Sequence, residues 1–129
     1  APAIAAYSPE KILSSTATRC VSTVTPLAQL TGLPIKETAL ISQDAFEYGQ
    51  GDVAAVVARR LKKKRTAVLC SHGPVLPQII GEVAAATGTS VDSPLRDAAS
   101  LDTGSFTVLH ISRSHPKRGI VAVETHSPA

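Results

Sequence analysis

Short apolar runs alternate with longer segments of helical periodicity over most of this chain of 129 residues. An apolar run of a few residues favours a strand, and a longer segment with apolar residues at helical spacing favours a helix. Strands are predicted at 11–15, 33–38, 65–71, 105–112 and 119–126, and helices at 16–32, 53–61 and 74–88. This alternation is typical of an α/β fold with three layers (α/β/α), in which helices cover both faces of a mostly parallel sheet.

The predicted helices have recognisable ends and one internal break. Asp52 is placed to cap the second long helix, and Gly32 and Gly88 stand where the first and third helices end. Pro26 predicts a kink or a restart within the first long helix, because proline removes a main-chain donor.

The remaining segments carry little periodicity. Residues 1–7 are Ala-rich and are predicted to be the last turns of a helix. Residues 41–52 are predicted to be a loop, and 90–102 is a polar stretch before the last two strands. The length suits one domain, and the chain has no internal repeat. We expect residues 1–129 to be the C-terminal portion of a single domain.

The composition limits the cellular locations and the kinds of partner that are expected for this chain. The chain has no apolar run near the roughly 20 residues of a membrane helix and no signal peptide, so we expect a cytoplasmic protein without a membrane partner. Cys20 and Cys70 match no metal spacing and are predicted to be buried thiols rather than a disulfide. The net charge is only +3, which argues against a nucleic-acid partner.

Much of the positive charge comes from one run, "RRLKKKR" at 59–65, which has two interpretations. Cations suit the C-terminus of a helix, so the run is first interpreted as a solvated helix end. The alternative is electrostatic steering of anionic substrates such as nucleotides.

Polar residues follow two of the predicted strands, at Ser14–Arg19 and at Ser71–Gly73. Ligands of open α/β sheets bind beyond the carboxyl ends of the strands. Arg19 in the first turn of one helix and His72 just before another helix would together bind an anion with several oxygens, most naturally a phosphoryl group. Gly73 would let the ligand approach the backbone closely. The alternative interpretation is a surface arginine and a loop histidine.

Two stretches resemble the signatures of the histidine phosphatase superfamily. "ILSSTATRCVSTVTPLA" is similar to the family pattern Ser-Ser-Pro-Leu-x-Arg-Ala at the start of a helix, and "AVLCSHGPVLPQII" is similar to the buried strand that ends in Ser-His-Gly. The likeness is strongest to the small phosphohistidine-phosphatase branch and to the C-terminal domain of actinobacterial MutT-like Nudix hydrolases. The latter group also has an arginine followed by a cysteine at the position of Arg19 and Cys20, and a pair of strands at the end of the domain similar to those predicted at 105–112 and 119–126.

The resemblance implies phosphoryl transfer through a covalent phosphohistidine. By position, Arg19 and His72 match an arginine and a histidine that surround the phosphoryl group, so both are expected to be catalytic and phosphate-binding. Ser71 and Gly73 flank that histidine and Ser14 ends the strand beside the pocket, so the resemblance places all three at the phosphate. Preorganised donors of this kind usually supply the largest catalytic contribution in phosphoryl transfer.

The resemblance also implies a general acid in the loop before the helix that begins near Asp52. This sequence offers Asp44 and Glu47 there, and Gln43 is a further occupant of the position that is acidic in relatives. Partial burial near the phosphate would have to raise the pKa of either carboxyl for it to donate a proton near neutral pH.

One departure from the family bears on the mechanism. The nucleophile of the family lies in an Arg-His-Gly motif on the first strand, and no such motif occurs in this sequence. We expect a histidine-phosphatase-like fold that lacks its first strand, with the nucleophile on an upstream segment or a second chain that completes the domain. His110 is expected in a strand, and His115 and His126 are expected to be solvated.

The expected function is a phosphohydrolase domain that acts on phosphate esters or anhydrides through a phosphohistidine. The Nudix likeness implies the C-terminal half of a nucleotide house-cleaning hydrolase. The alternatives are a protein phosphohistidine phosphatase and a phosphate-binding pseudo-enzyme. The expected partner is a phosphorylated small molecule, with nucleotides among the candidates. No cofactor is expected in this chain, and a divalent metal such as Mg²⁺ only if a Nudix domain is attached.

Overall fold

A computed structural model describes residues 1–49, 51–102 and 104–127. Its α-helices are α1 (Pro2–Ala5), α2 (Thr18–Thr31), α3 (Gln43–Glu47), α4 (Val53–Lys63), α5 (Leu76–Thr87) and α6 (Ser93–Ala98). Its strands are β1 (Lys11–Ser14), β2 (Ile35–Glu37), β3 (Ala67–Cys70), β4 (Phe106–Ile111) and β5 (Ile120–His126). Short 3-10 turns lie at Ala39–Ile41 and Pro116–Arg118. None of the described helices is both long and apolar enough to cross a membrane.

The first three strands form a parallel sheet in the order β2–β1–β3. Ser14 at the end of β1 is in register with Glu37 on β2 and with Cys70 on β3, so the carboxyl ends of all three strands coincide. The predicted α/β class with a parallel sheet flanked by helices is confirmed.

Alternation of side chains along β1 connects the sheet to helices on both of its faces. Ile12 packs on one side with Val24 and Leu27 of α2. Leu13 packs on the other side with residues of α4 and α5, such as Val57 and Ile79. Successive strand residues point to opposite faces, so two neighbouring apolar residues fasten both helical layers to one central strand.

The last two strands differ from the prediction of one continuous sheet. β4 and β5 form their own antiparallel pair, and within the described residues neither is hydrogen-bonded to the parallel sheet. Leu109 and Ile111 of β4 nevertheless pack against the same core cluster as Leu69 of β3. The antiparallel pair is therefore joined to the sheet through the shared core rather than through main-chain pairing.

Pro26 does not interrupt α2, contrary to the prediction of a kink or restart. The helix is continuous, and Gly32 ends it in the left-handed conformation as expected. Proline inside a helix costs about 3 kcal/mol. The buried side chains of Val24 and Leu27, one on each side of the proline, anchor both parts of the helix to the sheet and outweigh that cost.

The predicted loop 41–52 and the polar stretch 90–102 each contain a short helix. α3 lies in the segment 41–52, where the Ala45 main-chain N–H donates to Ser42 Oγ at 3.1 Å. α6 lies in the segment 90–102, where the Leu95 N–H donates to Asp92 Oδ1 at 3.0 Å. Both are held by an N-terminal cap and a few buried side chains, so they are too short to produce a clear apolar period.

Leu27 and Leu30 test the orientation of α2, because they are 1 % and 58 % exposed. We expect Leu27→Ala to lower the free energy of unfolding by about 3 kcal/mol, since it leaves a cavity between α2 and the sheet. Leu30→Ala, the matched control, is expected to change it by less than about 0.5 kcal/mol. Urea denaturation measures both values, and equal losses in the two variants would contradict this packing.

Candidate functional site

The register of β1 with β3 brings two polar segments together beyond the strands. Ser14 lies opposite Cys70 in the parallel pairing, and the Ser15 N–H extends it by donating to the Cys70 carbonyl at 2.9 Å. The chain then turns into α2 on one side and runs through His72 towards α5 on the other. Arg19, in the first turn of α2, therefore meets His72 at the carboxyl edge of the sheet.

His72 is the buried centre of this site, with 6 % of its surface exposed. Arg19 Nη2 lies 3.0 Å from His72 Nδ1, and Ser15 Oγ lies 2.8 Å from His72 Nε2. An arginine side chain has donors and no acceptor, so Nδ1 must accept from Arg19. The remaining ring proton is therefore assigned to Nε2, from which it donates to Ser15, and the imidazole is neutral in this arrangement.

The surroundings of His72 favour its neutral form. Burial is the largest cause that lowers the pKa of the imidazole below its ordinary value, and the positive charge of Arg19 lowers it further. The negative charge of Asp44 acts in the opposite direction and raises the pKa of the ring. His72 is thus poised between a cation and an anion, with the desolvated neutral state preferred.

A cavity of about 150 Å³ opens beside this pair. One water molecule needs about 10–15 Å³, so the space is sufficient for a small oxyanion. The lining comes from the start of α2, from the segment around α3 and from the end of β3, namely Thr16, Ala17, Arg19, Ser42, Gln43, Asp44 and His72. No side chain caps the N-terminus of α2, among the residues described, and Thr16, Ala17 and Arg19 place this positive helix end at the cavity.

Three of the seven predicted site residues line the cavity, and α3 separates the two candidate acids. Arg19, His72 and Asp44 are among the lining residues. Glu47 is outside the lining; it is exposed and accepts a hydrogen bond from Gln43 Nε2 at 3.0 Å. Gln43 in turn accepts from Arg19 Nη2 at 3.2 Å through its Oε1. The segment was predicted to be a loop, which gave no basis for choosing between Asp44 and Glu47. In the structure both are on the helix α3, and only Asp44 reaches the cavity.

The other predicted phosphate ligands do not line the cavity. Ser14 is fully buried and donates its hydroxyl to the Ser15 carbonyl at 2.8 Å. Ser71 donates its hydroxyl to the carbonyl of Ile41. Gly73 is exposed, and a Cβ at this position would meet no atom within 4 Å, so the close approach that favours glycine does not occur in this arrangement. Both serine hydroxyls are used to hold the main chain.

Ser15 is the site residue that the sequence-based prediction missed. It is fully buried, and its Oγ also accepts from the Ala17 N–H at 3.3 Å. The signal was present in the sequence, because Ser15 follows β1 just as Ser71 and His72 follow β3. Only the strand register identifies which of the two adjacent serines faces the imidazole.

The two cysteines lie beneath the site as free thiols. Cys20 Sγ is 3.7 Å from His72 Nε2, and Cys70 Sγ is 3.6 Å from the Cys20 carbonyl oxygen. Burial, followed by the neighbouring Cys20, raises the pKa of the Cys70 thiol to about 12. A thiol with that pKa is protonated at neutral pH, so Cys70 packs as a small apolar group and is a poor nucleophile.

The remaining histidines lie away from the cavity. His126 was predicted to be solvated, but it is in β5, stacks on Phe106 with ring centroids 4.7 Å apart, and contacts Glu124 and Tyr7. His110 is in β4 as predicted and lies 2.6 Å from Glu124 Oε1. No group of three or more His, Cys, Asp or Glu side chains is arranged to hold a metal ion in the part of the chain that the structure describes.

The basic run at 59–65 lies at the opposite end of the sheet from the cavity. It forms the C-terminal end of α4, which leads directly into the amino end of β3. The cavity adjoins the carboxyl end of the same strand. This placement favours the interpretation as a dipole-matched helix end over the steering of substrates into the site.

Comparison with protein-family models and with curated proteins gives no match to this sequence. The chain is thus defined by its fold and its site, as an α/β protein with a buried histidine and an arginine at the carboxyl edge of a parallel sheet. Its resemblance to the histidine phosphatases stays a prediction from the sequence.

The pKa of His72 should respond in opposite directions to two substitutions in the cavity. Arg19→Gln removes a cation and is expected to raise that pKa, whereas Asp44→Asn removes an anion and is expected to lower it further. An NMR titration of the His72 ring in the parent chain and in these two variants measures the three pKa values. Glu47→Gln is the control, because this carboxyl is outside the lining. Shifts of the same sign in the first two variants would contradict the electrostatics described.

Proposed function

We propose that the cavity binds the phosphoryl group of a phosphorylated small molecule, as part of a phosphohydrolase related to the histidine phosphatases. The observation that carries the proposal is the direct contact of Arg19 with the buried His72, at 3.0 Å, beside an open cavity. A guanidinium offers several parallel donors to an oxyanion, and the uncapped start of α2 adds a favourable dipole. Nucleotides are among the candidate substrates.

Within this proposal the cavity residues take separate roles. Arg19 binds and neutralises the phosphoryl oxygens, and His72 donates to them once its ring is protonated. Asp44 takes the role of general acid rather than Glu47, because only Asp44 lines the cavity. Gln43, which holds Arg19 in the resting arrangement, releases the guanidinium to the ligand.

The resemblance implies a nucleophilic imidazole besides His72, and the described residues bring no second imidazole to the cavity. His110 and His126 are bound to Glu124, and His115 lies in the turn before β5. We therefore infer that the nucleophile comes from an upstream segment or a second chain. Phosphate binding without turnover, as in a pseudo-enzyme, is the second candidate function, and the same lack of a second imidazole in the described part of the cavity favours it.

The unpaired edges of the strands support a completing segment. Among the described residues, β3 pairs only with β1, and β4 pairs only with β5. Leu69 of β3 and Leu109 of β4 nevertheless pack against one core cluster. A further strand that paired with β3 would satisfy its free main-chain groups and would end next to His72, since β3 itself leads into that residue.

Hydrogen exchange tests whether the edge of β3 is open. In this 129-residue chain we expect the most protected amides of the sheet in β1, which is paired on both sides, and faster exchange for those β3 amides that face away from β1. Amide exchange followed by NMR gives the rate of each strand residue. Protection of every β3 amide equal to that of β1 would contradict an open edge.

Calorimetric titration with inorganic phosphate and with orthovanadate tests the binding site. Arg19→Ala and His72→Ala are each expected to weaken binding by about 10- to 100-fold, because a hydrogen bond to a charged group contributes about 1.5–3 kcal/mol. Arg96→Ala is the matched control for loss of a positive charge, since Arg96 is exposed on α6 and its guanidinium donates only to Ser93 Oγ within the described residues. Unchanged affinity in both cavity variants would remove the proposed site.

Turnover is tested separately from binding. We expect this chain alone to bind phosphate without hydrolysing an aryl phosphate, and a protein that also carries the completing segment to hydrolyse it. A panel of nucleotides and a phosphohistidine peptide then distinguishes the nucleotide house-cleaning reaction from protein dephosphorylation. Hydrolysis by the isolated chain, with an activity that survives His72→Ala, would contradict the assigned roles.

A further inference from the structure

The hydrogen bond between His72 and Ser15 has a consequence for how an anion binds. The Ser15 hydroxyl is fully buried and lies 2.8 Å from Nε2, and the opposite ring nitrogen lies 3.0 Å from Arg19 Nη2. Arg19 can only donate, so the resting ring presents a lone pair at Nδ1 and a proton at Nε2. The cavity side of the imidazole is therefore the acceptor side.

An acceptor is unfavourable beside an oxyanion. When Arg19 turns from His72 to phosphoryl oxygens, the Nδ1 lone pair loses its donor and faces further oxygen lone pairs. A buried acceptor without a donor costs about 1–3 kcal/mol. A proton between Nδ1 and an oxygen removes this penalty and converts the contact into a charge-assisted hydrogen bond.

We propose that Ser15 is a positioning residue that holds the resting proton of His72 on Nε2, so that a phosphoryl dianion binds with uptake of one additional proton on Nδ1. The inference rests on the proposed phosphate-binding function and specifies its protonation state. The proton comes from a solvent or buffer acid and forms an N–H bond at Nδ1, so the imidazole becomes imidazolium, and no bond of the phosphoryl group is formed or broken. A ligand that carries its own proton, such as a phosphate monoanion, satisfies the same requirement.

The other groups around the imidazole are compatible with this exchange. Arg19 and the Cys20 thiol face the ring from α2, with Cys20 Sγ 3.9 Å from Nδ1, and the charge of Asp44 acts on it from α3. Arg19 opposes a positive ring until an anion takes its charge, and Asp44 favours a positive ring throughout. Burial and Arg19 keep the pKa of His72 low in the resting site, so the ring has a proton to gain when a dianion enters.

The resting tautomer is measured on the ligand-free protein by nitrogen-15 NMR of the His72 ring. Arg19 also requires the proton on Nε2, so the role of Ser15 is measured in variants that lack the guanidinium. We expect the proton on Nε2 in the parent chain and in Arg19→Ala, and a loss of that preference in Arg19→Ala/Ser15→Ala. Ser14→Ala is the matched control, because the Ser14 hydroxyl donates to the Ser15 carbonyl and does not contact the ring. A proton on Nδ1 in the parent chain, or the same tautomer in Arg19→Ala and in Arg19→Ala/Ser15→Ala, overturns the positioning role. If the double variant does not fold, the parent spectrum alone still decides the tautomer.

Proton uptake is measured by calorimetric titration of the parent chain with phenyl phosphate at about pH 8, where a phosphate monoester is largely a dianion that carries no proton of its own, in buffers of different ionisation enthalpy. We expect about one proton taken up per phosphate and an affinity that falls about tenfold per pH unit above that pH. Binding without proton uptake overturns this inference and leaves the proposed function standing. No phosphate binding at all overturns the proposed function and the proton uptake together, whereas the tautomer measurement still reports on Ser15.

Discussion

The buried hydrogen bond between His72 and Ser15 is the interaction on which the rest of the site depends. It forms because β1 and β3 are parallel neighbours in a register that sets Ser14 opposite Cys70, so that the next residues of both strands emerge side by side. A shift of one residue would turn the imidazole and the hydroxyl to opposite faces of the sheet. The fold therefore fixes the ring from one side, and Arg19 and the cavity occupy the other.

This arrangement determines the chemistry that the cavity can perform. The ring is desolvated and neutral, a guanidinium contacts its second nitrogen, and the N-terminal end of α2 faces the same space. The guanidinium and the helix end thus act on the same space, and because Arg19 is exposed, solvent screens part of its charge. The larger positive cluster at 59–65 lies at the other end of the sheet and contributes little to this field.

Much of the framework could be predicted from the sequence, because strong local signals agree with the final packing. The Asp52 cap, the glycine stops at Gly32 and Gly88 and the apolar strand before His72 all act over a few residues, and they determine the same elements in the structure. The convergence of Arg19 with His72 followed from placing both at the carboxyl ends of strands. The features missed in the prediction depend on distant contacts.

Pro26 is tolerated because residues of α2 on either side of it are buried against the sheet. Tertiary packing determines that β4 pairs with β5 alone and that His126 contacts Glu124 and Phe106. The spacing of apolar residues in the sequence gives no information on such contacts. The choice of Ser15 over Ser14, and of Asp44 over Glu47, depends on one step of register or on one short helix. Neither the choice of the serine nor the choice of the carboxyl could be made without the three-dimensional structure.

The central claim is that the anion site is formed by Arg19 and His72, and a crystal structure of the protein with bound tungstate tests it most directly. We expect the anion in the cavity, with its oxygens in hydrogen-bond contact with the Arg19 guanidinium and with His72 Nδ1, and with Ser15 still bonded to Nε2. Tungstate bound only at the basic end of α4, with an empty cavity at the carboxyl edge of the sheet, would contradict it.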